Sequence, residues 1–341
     1  MARARIKDVA RLAGVSVGTV SNVLNRPDLV ASPTQERVLA AVRELEFVRN
    51  ASARSLRVGA NRAIGLVVLD VGNPFFTDVA RGAQEAADAL GMMVMLCSSE
   101  NEVARQQRHL EMFEQQRVLG VLLTPAGTRD PHVDEMVKRG TPVVLLDAAR
   151  GVRKRCSVTV DDVMGGRLVV EHLVAQGHQR ITFVGGEPSV RQVRDRLRGA
   201  QGALPGGAHL AVHPTADLTV AAGREAAKAI LASSDRRPTA AFCANDLLAL
   251  GMLQELTRQR LDVPSDLALV GYDDIEFASA AAVPLSSVRQ PRQELGRVAV
   301  ELLLEEVDEG AAHRHRQVMF TPELVVRDSS RVDVMAGRRP A

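Results

Sequence analysis

Apolar positions near the start of the chain recur with a helical period. Ile6, Val9, Ala10 and Ala13 fall three and four apart, and Gly14 stands where a left-handed cap would end such a helix. Ser16 then suits the cap of a second helix. In it Val20 and Val23 lie on one side, and Val17, Gly18, Ser21 and Asn22 on the other. A third helix opens at Ser32-Pro33-Thr34-Gln35, read as a capping serine, a proline at the first helical position and a glutamine at the capping-box site. Val38, Ala41, Val42 and Leu45 form its buried stripe. Three short helices, two of them joined by a glycine turn, predict a helix-turn-helix unit over 1–49. The outward face of its second helix is small and hydrogen-bonding, which suits a helix laid into the major groove of DNA. A helical bundle used only for dimerisation is the plainer alternative.

From residue 50 to 60 the pattern weakens. RNASARSLRVG (49–59) reads as a helix of about two turns, too short to be stable alone in water. Leu56 has two readings there. Either it packs on the helical unit, or it is an apolar wedge for a minor-groove base step, with Arg54 and Arg57 on phosphates.

Beyond residue 62 the period changes again. Short apolar runs at 63–71, 92–99, 118–126 and 141–148, then at 180–186, 239–246 and 267–274, alternate with helical stretches. Such runs predict strands buried on both faces of parallel sheets. They fall into two groups, so the fold class is an all-α head followed by an α/β body of two doubly wound lobes, with a ligand cleft at the carboxyl ends of the strands. Asp70, Asn73, Asp147, the pair Asn245-Asp246 and the pair Asp273-Asp274 all follow strands. A lone carboxylate there is commonly a helix cap, but several at one edge favour a site.

Charge sharpens this division. Residues 1–60 hold ten Lys/Arg against five Asp/Glu, whereas the rest of the 341-residue chain holds 33 against 36. A basic head on a mildly acidic body expects an anionic partner for the head, as double-stranded DNA would be. Cys97, Cys156 and Cys243 form no CxxC pair, and their apolar surroundings read as packing. His313 and His315 flank an arginine in a polar stretch and read as solvated, so no metal and no cofactor is expected. No GxSxG, GxxxxGK[ST], strand-borne GxGxxG or HExxH motif occurs, which argues against an enzyme. No signal-like or bilayer-length apolar run is evident, so a cytoplasmic location is expected.

IKDVARLAGVSVGTVSNVLN followed by NASARSLRVG resembles the lactose-repressor/galactose-repressor (LacI/GalR) family of bacterial transcription regulators. The likeness continues through NPFF (73–76), VTVDD (158–162), GG (165–166), RLRG (196–199), AFCAND (241–246), VGYDD (270–274) and VRQP (288–291). It implies DNA contacts from Ser16, Val17, Gly18, Thr19, Ser21 and Asn22, and from a hinge helix carrying Asn50, Ala53, Arg54 and Leu56, with the leucine inserted at the centre of a pseudo-palindrome. It also implies a small-molecule effector, a sugar before a nucleoside, held by Asn73, Phe75, Phe76, Asp147, Gln192, Arg196, Asn245, Asp273 and Gln290. Arg196 would offer a fork of donors, and one of the two phenylalanines is expected to be ordinary core. The partners implied are operator DNA, the effector and a second copy in a homodimer. The rival reading is a sugar- or nucleoside-binding protein with no role on DNA.

The resemblance divides the body, 61–330, into lobe 1 (about 61–161 and 291–320) and lobe 2 (about 162–290 and 321–330), with a tail at 331–341 that lacks a heptad repeat. Three positions depart from the usual pattern. Ala200 and Leu218 stand where relatives often have aromatics, and Asn22 stands where many have arginine. Asparagine pairs best with adenine N6 and N7, so Asn22 is expected to read a base.

Overall fold

The computed structural model describes residues 4–47, 62–127, 131–147, 154–186, 190–233 and 237–331. The chain separates into two compact units, Met1–Asn61 and Arg62–Ala341. In the first, α1 (Ile6–Ala13) stops at Gly14, whose φ of 64° is the left-handed conformation that glycine adopts without cost. Two residues on, the Ser16 hydroxyl accepts from the Thr19 N–H at 3.0 Å and caps α2 (Val17–Asn25). The third helix, α3 (Ser32–Glu44), differs from expectation at its start. Ala31 is its cap residue and Ser32 is already helical, while Gln35 donates its side-chain amide to the Pro27 and Val30 carbonyls at 2.9 and 2.8 Å. The glutamine therefore ties down the preceding loop instead of closing a capping box. Val9, Ala10, Ala13, Val20, Val23, Val38 and Ala41 form the core, with Val17, Val42 and Leu45 packed partly against it.

The second unit contains two six-stranded sheets, the first in the order β11-β5-β4-β3-β1-β2 and the second β12-β10-β9-β8-β6-β7. Lobe 1 is built on β1 (Ala63–Val68), β2 (Met93–Ser98), β3 (Gly120–Leu123), β4 (Val143–Leu146), β5 (Ser157–Val160) and β11 (Gln317–Phe320). Lobe 2 is built on β6 (Arg180–Gly185), β7 (His209–Pro214), β8 (Ala240–Cys243), β9 (Ala268–Asp273), β10 (Ser286–Arg289) and β12 (Glu323–Val325). Every pairing is parallel except β10 with β12. The run at 92–99 departs from the both-faces-buried expectation. As β2 it is the edge of its sheet, and Met93 and Leu96 are exposed.

Helices α4 (Pro74–Asp88), α5 (Val103–Gln116) and α6 (Pro131–Lys138) follow the first strands of lobe 1. Lobe 2 carries α7 (Asp162–Ala175), α8 (Arg191–Gly202), α9 (Val220–Ala232), α10 (Asp246–Arg258) and the short α11 (Glu276–Ser279). The long α12 (Arg292–Glu309) returns to lobe 1 and packs along α4. Two glycines set the approach of α7 to α8. A Cβ on Gly166 would stand 2.0 Å from the Arg196 carbonyl oxygen, and one on Gly199 would stand 1.9 Å from that of Val163. This close approach places Arg196 beside Asp162 at the start of α7.

Candidate functional site

In the head, Ser16, Gly18 and Asn22 are exposed on one side of α2, while Thr19 and Ser21 are partly covered. Val17 is half-buried, because the first turn of α2 leans on the core, so it does not stand wholly on the outward face. The Ser16 and Thr19 hydroxyls lie 2.9 Å apart, which commits the serine to its cap and leaves Asn22 as the long polar side chain facing out. Lys7, Arg11 and Arg26 are exposed in the same unit. Asn50, Ala53, Arg54 and Leu56 lie outside the described residues.

In the body the expected groups gather where the two lobes face each other. Asn73 caps α4, its Oδ1 accepting from the Phe75 N–H at 3.0 Å. Its side-chain amide donates across to Asp273 of lobe 2 at 3.2 Å. Asp273 ends β9 and accepts from Gln290 at 2.7 Å through its other oxygen. Phe75, Phe76, Asp147 and Gln290 line a narrow, partly open cleft, together with Val79, Thr124, Leu146, Val158–Val160 and Leu295. Both phenylalanines line it and both belong to the lobe 1 core, meeting edge to face at 5.0 Å between centroids.

Other expected residues are occupied differently. Asn245 caps α10 by accepting from the Leu248 N–H at 2.9 Å, and donates to the Leu218 carbonyl at 2.9 Å. Gln192 is buried in the first turn of α8 and does not line the cleft. Arg196 spends most of its fork inside lobe 2. Its Nε donates to Asp162 at 2.9 Å, Nη1 donates to the Ala244 carbonyl at 2.6 Å, and the guanidinium stacks 3.6 Å from the ring centre of Tyr272. Its Nη2 lies 3.8 Å from Asp273.

Burial and charge act against each other here. Burial raises Asp273 to about 6 although Arg196 opposes the shift, and burial likewise raises Asp162 against the pull of Arg196. Burial works against the charge on Arg196 too, but Asp162, Tyr272 and Asp273 outweigh it and hold the guanidinium above its ordinary range. Asp246 is also buried and raised, with Ser287 donating to it at 2.6 Å and the Ile275 N–H at 2.9 Å, so it serves as an internal brace.

Two residues that matter to this site carry no motif. Arg191, at the first turn of α8, reaches from lobe 2 to lobe 1 and donates to the Asp147 carbonyl at 2.7 and 2.9 Å and to its carboxylate. Asp195 holds it from behind at 2.8 Å. Arg292 donates to Asp78 of α4 at 2.8 Å and also to the Asp273 and Asp274 carbonyls, a further junction between the lobes beside Asn73–Asp273 and Arg191–Asp147. The spacing of Arg191 and Asp195, four apart on one helix, is the available sequence clue, since such a pair shares a face.

A basic-tinged helix-turn-helix unit joined to a two-lobed body, with a cleft bordered by polar bridges between the lobes, defines a class, the DNA-binding regulators controlled through a ligand domain. Comparison with known proteins agrees. Residues 5–50 match the model for bacterial regulatory proteins of the lacI family, and 170–330 match the periplasmic binding protein-like domain. The chain is 34% identical over 331 residues to the HTH-type transcriptional repressor PurR of Photobacterium profundum, covering 96% of this chain and 98% of that one. It is 35% identical over 335 residues to the ribose operon repressor of Escherichia coli, covering 96% and 100%. A solved lac repressor dimer bound to operator and the anti-inducer ONPF superposes with a TM-score of 0.83 at 29% identity, over 96% of this chain and 99% of that one. The chain belongs to the LacI family of bacterial transcriptional regulators. Among the described residues no helix is long and apolar enough to cross a membrane.

Proposed function

We propose that the chain is a cytoplasmic, non-enzymatic repressor that binds a pseudo-palindromic operator as a homodimer and is controlled by a sugar in the interlobe cleft. The observation that carries this reading is the pairing of Arg191 with Asp147 and of Asn73 with Asp273, polar bridges between lobes beside a cleft with an apolar floor. A ligand that competes for those groups binds the open and closed arrangements unequally, which is what coupling to DNA requires. Acceptors on Asp147, Asp273 and Gln290 suit sugar hydroxyls, and Phe75 and Phe76 suit the apolar face of a ring. Sugar-bound relatives support the ligand class, since a LacI family regulator from Enterococcus faecium was solved with bound ribose. Leu90, Met93, Leu96 and Met112, exposed at and near the β2 edge, support a second copy as the partner of lobe 1.

Ser16, Val17, Gly18, Thr19, Ser21 and Asn22 are assigned to the major groove, with Asn22 as the base reader. Asn50, Ala53, Arg54 and Leu56 are assigned to the hinge contacts. Thermal-shift screening of the full chain against sugars and nucleosides, followed by anisotropy titration on genomic fragments, tests the whole reading. Asn22→Ala is expected to cost about 1–3 kcal/mol on the preferred fragment and little on random DNA. Equal weakening on both would remove Asn22 from the readout, and no preference for any fragment with any ligand would remove the repressor.

A further inference from the structure

His313 is not solvated as its polar surroundings suggest, whereas His315 stays exposed. β11 lies parallel to β5 with Gln317 opposite Ser157, so the residues just before these two strands come side by side. His313 and His315, two apart on extended chain and therefore on one face, turn toward Cys156. Cys156 Sγ lies 3.1 Å from His313 Nε2 and 3.9 Å from His315 Nδ1, and Glu306, in the last turns of α12, brings Oε2 to 3.8 Å from His315 Nδ1. The four atoms are mutually within 4.8 Å. The His313 side chain is 3% exposed, Cys156 is buried, and Glu306 Oε2 is buried without a hydrogen-bond partner.

The geometry points to a transition-metal site of the zinc class, with Cys156, Glu306, His313 and His315 as its ligands. Around a tetrahedral zinc, with bonds of about 2.1 Å to nitrogen or oxygen and about 2.3 Å to sulfur, neighbouring ligand atoms stand roughly 3.3–3.8 Å apart, and the three separations above bracket that range. One thiolate and one carboxylate balance a divalent charge, and two imidazoles complete the set. Sulfur and imidazole nitrogen select zinc-like ions over calcium or magnesium, which take oxygen.

The surroundings are those of a ligand set. If His313 binds through Nε2, its Nδ1 carries the proton and donates to Glu309 at 2.8 Å, the carboxylate–histidine arrangement that orients metal-bound imidazoles. The Arg316 backbone N–H donates to Cys156 Sγ at 3.3 Å. The nearby cations have carboxylate partners of their own, Arg155 with Asp134 and Arg316 with Glu305, while also acting on Glu306 and Cys156 respectively.

The site is separate from the cleft. Cys156 precedes β5 and Asp161 follows it, so the two lie beyond opposite ends of a four-residue strand, about 17 Å apart. β5, β11 and α12 each join a crossover at their other end, so the ion would tie together the ends of these three lobe 1 segments that lie away from lobe 2.

The test uses the full-length protein, reduced, stripped with chelator and titrated anaerobically with cobalt(II) chloride. One equivalent should give a thiolate-to-cobalt charge-transfer band with the strong visible absorption of tetrahedral cobalt, and zinc chloride should bleach both and raise Tm. Cys156→Ser should abolish the charge-transfer band while Cys97→Ser retains it, and Glu309→Gln should weaken cobalt binding about 10–100-fold. Should Cys156→Ser fail to fold by circular dichroism, His315→Gln, on the more exposed side, replaces it and should lose the tetrahedral spectrum. Absence of the band in the folded parent protein, or its persistence in Cys156→Ser, overturns the site.

Discussion

The lining of the cleft and the interior of lobe 2 beside it are built on opposite principles. On the lobe 1 side Phe75, Phe76, Leu146, Val158 and Val160 offer apolar surface continuous with the lobe core. Inside lobe 2, next to the cleft and not lining it, Asp162, Arg196, Tyr272 and Asp273 form a buried, charged lattice whose members mostly satisfy one another. An apolar wall tolerates a change of shape, because its groups need only contact. A buried ionic lattice does not, because each charge depends on its partner to offset desolvation. The lobe 2 lattice is thus the rigid part, and the apolar lobe 1 lining, tied to lobe 2 through Asp147, is the adaptable one.

The largest break in this contrast is Asp162→Ala, which strands the buried Arg196 and is expected to cost about 3–5 kcal/mol in urea unfolding. Replacing both partners, as Asp162→Leu with Arg196→Met, should cost clearly less than the single change. A double-mutant cycle that proved additive would refute the lattice.

Next comes pH. Asp273 is raised to about 6 by burial, so the folded state holds its proton more tightly than the unfolded chain does. Its stabilising contribution is therefore complete below the unfolded value near 4 and is lost as pH climbs through about 6, a change on the order of 2–3 kcal/mol. Unfolding curves of the parent protein should lose that much relative to Asp273→Asn between those limits. Parallel pH profiles would contradict the shift.

Arg191→Ala removes the bridge to Asp147 and should favour the open arrangement. The apparent effector affinity is expected to move by about 1–2 kcal/mol, with stability altered less. Scattering profiles with and without ligand report the change, and identical profiles for parent and variant would exclude a latch. The smallest effect on stability is expected on the apolar wall. Phe76→Leu should cost under about 1.5 kcal/mol in unfolding while weakening ligand binding measurably by calorimetry.

Much of the head was legible because its determinants are local. Gly14 stops α1 and Ser16 caps α2 through contacts within four residues. Where a local reading failed, as at Ser32 and Gln35, a longer contact to the Pro27 and Val30 carbonyls had taken the side chain. In the body, the long apolar runs announced strands, but short ones such as Ser157–Val160 and Gln317–Phe320 carried too few residues to show a period. The family likeness named Phe75, Phe76, Asp147 and Gln290 of the cleft lining, yet not Arg191 or Arg292, which reach across to the far lobe.

The amino-acid sequence by itself determined the three-helix head, the parallel two-lobed body and the family, because caps, glycine turns and buried runs act over a few residues and repeat along the chain. Only the tertiary structure decided that Arg196 is spent beneath Tyr272, that Arg191 crosses to Asp147, and that Cys156 meets two histidines nearly 160 positions away. Those meetings depend on strand order and lobe packing, where residues far apart in the chain become neighbours and no local pattern records the encounter.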